Sequence, residues 1–151
     1  MGMIRKATLE DAKKIQELVN YYAGQDDMLP RAISEVYENI RDFFVYAEKG
    51  KIYGCATLHI CWENLAEIKS LAVSKSRWAR GIGTKLVEAC IKEAKRLKIR
   101  KIFVLTYKPD FFKQLGFRRV PRSKLPHKVW SECINCPKFP KCDEVPLIME
   151  L

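Results

Sequence analysis

Leu71-Ala72-Val73-Ser74-Lys75-Ser76-Arg77-Trp78-Ala79-Arg80-Gly81-Ile82-Gly83-Thr84 sets the end of an apolar strand against a helix entered through two glycines. Beyond it, residues 81–98 place Ile82, Leu86, Val87, Cys90, Ala94 and Leu97 inward. Lys85, Glu88, Lys92, Glu93, Lys95 and Arg96 lie outward, the period of an amphipathic helix. A helix entered this way leaves its first N–H groups unpaired, and glycines let anionic oxygens approach them, so Arg80-Gly81-Ile82-Gly83-Thr84 predicts an anion cradle. The same glycines could serve the turn alone. The stretch also lacks the Lys-Ser/Thr ending of a nucleotide loop and the third glycine of a dinucleotide fingerprint.

Upstream, residues 43–48, 52–60 and 65–73 are rich in β-branched, aromatic and alternating positions, and Glu48-Lys49-Gly50-Lys51 supplies a hairpin turn, so they predict an antiparallel meander. Before the meander come a short strand at residues 4–7 and a helix capped by Thr8, with Ile15, Leu18, Val19 and Tyr22 on its apolar stripe. A second helix after Pro30 carries Ile33, Val36, Tyr37 and Ile40. Downstream, residues 101–106 form an apolar strand, and Pro109 opens a short helix ending at Gly116. A last strand follows at residues 145–151, after an irregular Cys- and Pro-containing stretch. Strand, long helix and strand predict a right-handed parallel crossover. The expected fold is therefore mixed α/β (α+β), with a largely antiparallel central sheet in the order β-α-α-β-β-β-α-β-α-β.

Size and charge bound the function. The 151 residues, 48% hydrophobic, suit one domain over residues 1–151. No apolar run approaches the roughly 20 residues of a membrane span, and the first residues lack a secretory signal, so a cytosolic (cytoplasmic) protein without a membrane partner is expected. A net charge of +10 attracts anionic ligands. The basic residues are scattered, without a dense block or a known nucleic-acid signature, which disfavours nucleic acid as a partner.

The order Leu71-Ala72-Val73, Arg80-Gly81-Ile82-Gly83, amphipathic helix and Phe111-Phe112-Lys113-Gln114-Leu115-Gly116-Phe117 resembles the GNAT superfamily of N-acetyltransferases over residues 4–120. The resemblance implies that acetyl-CoA is the cosubstrate. Residues 71–73 would line the pantetheine arm, in a strand that splays from its neighbour, and Trp78, Ala79, Arg80, Gly81, Ile82, Gly83 and Thr84 would hold the pyrophosphate. A Gln or Arg is usual three residues before the first glycine. Trp78 stands there, with Arg77 or Arg80 left to supply the charge.

An amine must lose a proton before it attacks a thioester, and a carboxylate beside the CoA loop can take it. The Ala66-Glu67-Ile68 match implies that Glu67 is this base. An ion pair of Glu67 with Lys69 is the structural alternative, and Glu63 is a lesser candidate. Many members carry Tyr where Phe112 stands, so Tyr107 is the replacement candidate for the general acid. A departing thiolate needs little proton assistance, because a thiol has a pKa of about 8.5.

Met28-Leu29-Pro30-Arg31, Phe43-Phe44-Val45, Glu67-Ile68-Lys69-Ser70-Leu71-Ala72-Val73, Ile102-Phe103-Val104-Leu105-Thr106-Tyr107 and Lys124-Leu125-Pro126-His127-Lys128-Val129-Trp130 narrow the resemblance. They are similar to the short amino-acid acetyltransferases related to N-acetylglutamate synthase, which serve arginine biosynthesis. This implies glutamate as acceptor, with Arg31, Lys69, Ser70 and Thr106 at its site. The Arg31 guanidinium could bind a carboxylate bidentately or serve only at a helix start. Glutamine, another amino acid or a protein terminus remains open as acceptor, as do a homodimeric assembly and a non-catalytic acyl-CoA-binding module. The longer synthases carry an amino-acid-kinase-like domain without a counterpart in these residues.

His127, Cys133, Cys136 and Cys142 could form a tetrahedral structural zinc site, although only Cys133 and Cys136 are a tight pair. The competing reading makes them small apolar residues that pin a loop. Cys55, Cys61 and Cys90 fall on strand or helix faces and are expected in the core.

Overall fold

The computed structural model describes residues 2–23, 31–125 and 144–151. Seven strands form one sheet: β1 (Gly2–Lys6), β2 (Phe43–Glu48), β3 (Lys51–Trp62), β4 (Leu65–Val73), β5 (Lys101–Thr106), β6 (Arg118–Arg119) and β7 (Val145–Glu150). Their spatial order is β1-β2-β3-β4-β5-β7-β6, and β4 with β5 is the parallel pair. The β2–β3 hairpin turns through Lys49 and Gly50 at φ 50° and 79°. Two successive left-handed residues match the twist of the strands they join.

Among the described residues four α-helices accompany the sheet: α1 (Ala12–Ala23), α2 (Ile33–Glu38), α3 (Ile82–Arg96) and α4 (Pro109–Gln114). Strand alternation sends neighbouring residues to opposite faces, so the core is divided by the sheet. On one face Leu86, Val87, Cys90 and Ala94 of α3 pack on Ala56, Leu58, Ala66, Ile68, Ile102 and Val104. On the other, Ile15, Val19 and Tyr22 of α1 and Val36 of α2 pack on Val45, Cys55 and Ala72. A smaller cluster of Leu65, Phe103, Val120, Leu125 and Ile148 lies apart from it and takes the opposite strand positions from the α3 cluster.

The predicted order of elements is found, with one addition. β6 is a two-residue pairing of Arg118 and Arg119 with Ile148 and Leu147, too short and too charged to show an alternating pattern. Two side chains depart from expectation. Leu97 is exposed, because α3 ends at Arg96 and Ile99 takes the buried place, its N–H donating to Ala94 O at 2.9 Å. Tyr37 is exposed as well, because α2 stops at Glu38 and Ile40 belongs to a separate 3-10 turn, Ile40–Asp42.

Candidate active site

The central feature is a split in the sheet. β4 and β5 pair at Leu65↔Lys101, Ala66↔Ile102 and Glu67↔Phe103, and there the ladder ends, although β4 runs on to Val73 and β5 to Thr106. β5 stays paired with β7 along its whole length. The facing edges of β4 and β5 beyond Glu67 therefore present main-chain groups that the sheet does not use, and an extended amide-bearing chain fits between such edges. A bulge bends β4 at the same place. Cys55 opposes Ala72 and Thr57 opposes Lys69, so β4 has one residue more than β3 across this interval. Ser70 sits in the bulge at φ 55°, with its carbonyl accepting the Cys55 thiol at 3.4 Å.

The start of α3 follows the open end of the split. Gly81, at φ 74°, is the residue before the helix, and the first intrahelical bond runs from Lys85 N to Gly81 O at 3.0 Å. The N–H groups of residues 81–84 precede that bond, and Gly81 brings no side chain to cap them. Such a helix start favours an anion by both hydrogen bonding and dipole.

Trp78 is built into this loop as a fastener. Its indole N–H donates to Val73 O at 2.8 Å and lies 3.1 Å from Tyr22 Oη, which itself donates to Val73 O. The Trp78 and Tyr22 rings stack at 6.3 Å, tying the loop to α1. Of the two arginines expected to supply charge, Arg77 is committed elsewhere: its Nε lies 3.1 and 3.2 Å from the two Glu48 oxygens. The Tyr46 hydroxyl and, against burial, Arg77 hold the Glu48 carboxyl below its ordinary range. Arg80 is exposed and its charge is the one that remains at the helix start. Lys75 and Lys108 add two more, at 5.7 and 5.9 Å from the Trp78 ring centre.

The sheet face opposite α3 carries a polar patch between the two apolar clusters of that side. Glu67, 9% exposed, stands where the split opens, with Lys69 two residues on along the same face. Across β3 these two oppose His59 and Thr57. The Thr57 hydroxyl, in a residue 2% exposed, has no hydrogen-bond partner among the described residues. Arg31 stands at the entry to α2. Asn20 clamps its main chain, accepting from Arg31 N at 2.9 Å and donating to Arg31 O at 3.2 Å, and Gln16 also donates to that carbonyl. The Arg31 guanidinium lies 3.5 Å from Glu35 and is 17% exposed.

Tyr107 is half-buried just past β5, on the side where the strands have parted. Thr106 Oγ1 accepts the Lys108 N–H at 2.9 Å, so it shapes the turn into α4. Phe112 is buried between Phe111 and Phe117 at 5.0 and 5.4 Å, an apolar setting without a phenol. Burial pushes the Cys55 and Cys90 thiols up to about 12, which removes both as nucleophiles at neutral pH. His127, Cys133, Cys136 and Cys142, the expected zinc ligands, lie outside the described residues, as do Met28, Leu29 and Pro30. Among the described residues no group of three metal-ligating side chains is present.

A parted β4–β5 pair followed by an uncapped helix start has the shape and polarity that suit a long, phosphate-bearing cosubstrate. Residues 9–117 match the Acetyltransferase (GNAT) family, and the chain belongs to that family. It is 38% identical over 148 residues to an uncharacterised N-acetyltransferase of Chlorobaculum tepidum, covering 98% of this chain and 96% of the relative. It is 32% identical over 133 residues to the amino-acid acetyltransferase of Mycobacterium tuberculosis, covering 86% and 76%. The N-acetylglutamate synthase of Neisseria gonorrhoeae, solved with coenzyme A and N-acetyl-glutamate, superposes with a TM-score of 0.91 at 25% identity. That match covers 100% of this chain and 35% of the synthase. The family makes this protein an acetyltransferase with acetyl-CoA as its cosubstrate. No helix of the described residues is long and apolar enough to cross a membrane.

Proposed function

We propose that this enzyme transfers the acetyl group of acetyl-CoA to the α-amine of a free amino acid, L-glutamate, giving N-acetylglutamate for arginine biosynthesis in the cytoplasm. The observation that carries the reading is the position of Glu67, at the point where β4 and β5 part. The similarity to an amino-acid acetyltransferase and to an N-acetylglutamate synthase supports the acceptor class.

In this reading the pantetheine arm lies in the split against the main chain of Leu71, Ala72 and Val73. Its pyrophosphate meets the N–H groups of Gly81, Ile82, Gly83 and Thr84, with Arg80 alongside and Trp78 and Ala79 shaping the loop. Glu67 removes a proton from the acceptor ammonium, and the amine then attacks the thioester carbonyl. Tyr107, on the β5 side, protonates the departing thiolate. Arg31 pairs with one acceptor carboxylate and Lys69 with the other, while Ser70 and Thr106 border the acceptor from the bulge and the strand end.

CoA release followed with a thiol reagent tests the reading, using glutamate, glutamine, aspartate and a short peptide at saturating acetyl-CoA. Glutamate is expected to be turned over fastest. Preference for the peptide would assign a protein acceptor, and binding of acetyl-CoA without thiol release for any amine would make the chain an acyl-CoA-binding module.

A further inference from the structure

The face that carries Glu67 holds a second acid-base pair that the reaction above does not use. His59 stands opposite Glu67 in the antiparallel β3–β4 register. Opposed positions of such a pair share a face, with Cβ atoms about 4.5–5.5 Å apart. The imidazole is fixed from the far side: Nδ1 lies 3.0 Å from Oδ2 of Asp42, the last residue of the turn that leads into β2. A carboxylate at Nδ1 holds the ring proton there, which leaves the Nε2 lone pair to accept another.

Exposure rises from Glu67 to the pair beside it. Glu67 is buried, whereas the His59 and Asp42 side chains are 38% and 29% exposed. Among the described residues, the ionisable groups nearest His59 in the strand register and the turn are Asp42, Glu67 and Lys69 from β4, and Cys61 two residues on along β3. The nearest part of β5 on this face contributes Phe103, which is apolar and buried. With cosubstrate and acceptor filling the split, a buried carboxyl at Glu67 loses its direct route to water.

We propose that His59, positioned by Asp42, is the outlet through which Glu67 sheds the proton it takes from the acceptor; the proposal rests on Glu67 being the base. The acceptor ammonium gives one proton to a Glu67 oxygen, and the Glu67 carboxyl gives it to His59 Nε2. The resulting imidazolium, stabilised by Asp42, releases it to water. The second proton, lost from nitrogen as the C–N bond forms and the C–S bond breaks, balances the thiolate that leaves.

The test measures acceptor kcat/KM against pH in dilute buffer for wild type, His59→Ala, His59→Gln, Asp42→Asn and Glu67→Gln, with acetyl-CoA affinity as the check on folding. Both His59 variants should lose about 10–10²-fold, at or below the low end for a positioned acid-base group. Added imidazole should restore much of the His59→Ala loss. Asp42→Asn, which removes the carboxylate that holds Nδ1, should lower the rate in the same direction as the His59 variants while acetyl-CoA affinity is retained. A His59→Gln enzyme with the wild-type rate and pH profile would overturn the outlet, as would a His59→Ala loss that imidazole leaves untouched at every pH. An active Glu67→Gln enzyme instead removes the base assignment itself. An inactive Glu67→Gln beside wild-type His59 variants removes the outlet alone.

Discussion

Arg31→Ala removes one guanidinium and keeps the main-chain bonds at residue 31. Asn20 and Gln16 bond Arg31 N and O and would bond an alanine equally well. A charge-assisted bond to an acceptor carboxylate contributes about 1.5–3 kcal/mol. Against it stands one competing partner, Glu35, 3.5 Å away and half exposed, and such an i,i+4 pair contributes about 0.3–0.5 kcal/mol. The difference is about 1–2.5 kcal/mol, a rise of roughly 5- to 70-fold in the glutamate KM. Glu35→Gln should move it slightly the other way by removing that competing carboxylate. Initial-rate kinetics with glutamate, glutamine and aspartate at saturating acetyl-CoA make the comparison, and acetyl-CoA affinity should stay within about twofold. Unchanged glutamate kinetics in a folded Arg31→Ala enzyme would refute the assignment of Arg31 to the acceptor and leave the acetyltransferase assignment standing.

Gly83→Asp should weaken acetyl-CoA binding by more than about 10-fold, or about 1.4 kcal/mol, because it brings a negative charge to the phosphate cradle. Gly83→Ala, whose Cβ would meet Phe111 Cζ at 3.4 Å, is the steric control, and calorimetric titration reads both. Burial pushes the Asp11 carboxyl up, but its bonds to Arg5 and Thr8 and the Arg5 charge hold it below the ordinary range. The stability it adds is therefore complete above the ordinary carboxylate range and is lost as pH falls through the lowered folded value. Asp11→Asn should lower stability by about 1–3 kcal/mol at neutral pH and flatten the acid side of a plot of Tm against pH; an unchanged acid limb would contradict this. If His127, Cys133, Cys136 and Cys142 hold zinc, elemental analysis should find about one zinc per chain. Protein purified without chelator and found free of zinc would assign these cysteines to packing.

What could be read from the sequence was local. The amphipathic stripe of α3, the glycine-entered helix start and the Lys49-Gly50 hairpin each show within a few residues, because each reflects a short-range backbone requirement. The split could be expected only through the family resemblance. Where the β4–β5 ladder stops is a property of two segments separated by a helix, and neither strand alone records it. The same distance in sequence hides the Asp42–His59 pair and the Asn20 clamp on Arg31. The sequence marks Trp78 by its spacing from Gly81, whereas its bonds to Val73 and Tyr22 fasten the loop to α1, a contact no local pattern encodes. Leu97 failed for a different reason: the apolar period ran one residue past the point where the helix ended.

The central claim is that acetyl-CoA and a free amino acid meet at Glu67. Its most direct test is to supply acetyl-CoA labelled in the acetyl group with L-glutamate and identify the product by mass spectrometry, for wild type and for Glu67→Gln. The account predicts labelled N-acetylglutamate in equal amount to the CoA released, formed about 10²–10⁴-fold more slowly near neutral pH by Glu67→Gln with acetyl-CoA affinity retained. CoA released without any acetylated amino acid, or equal rates of product formation by the two enzymes, would contradict it.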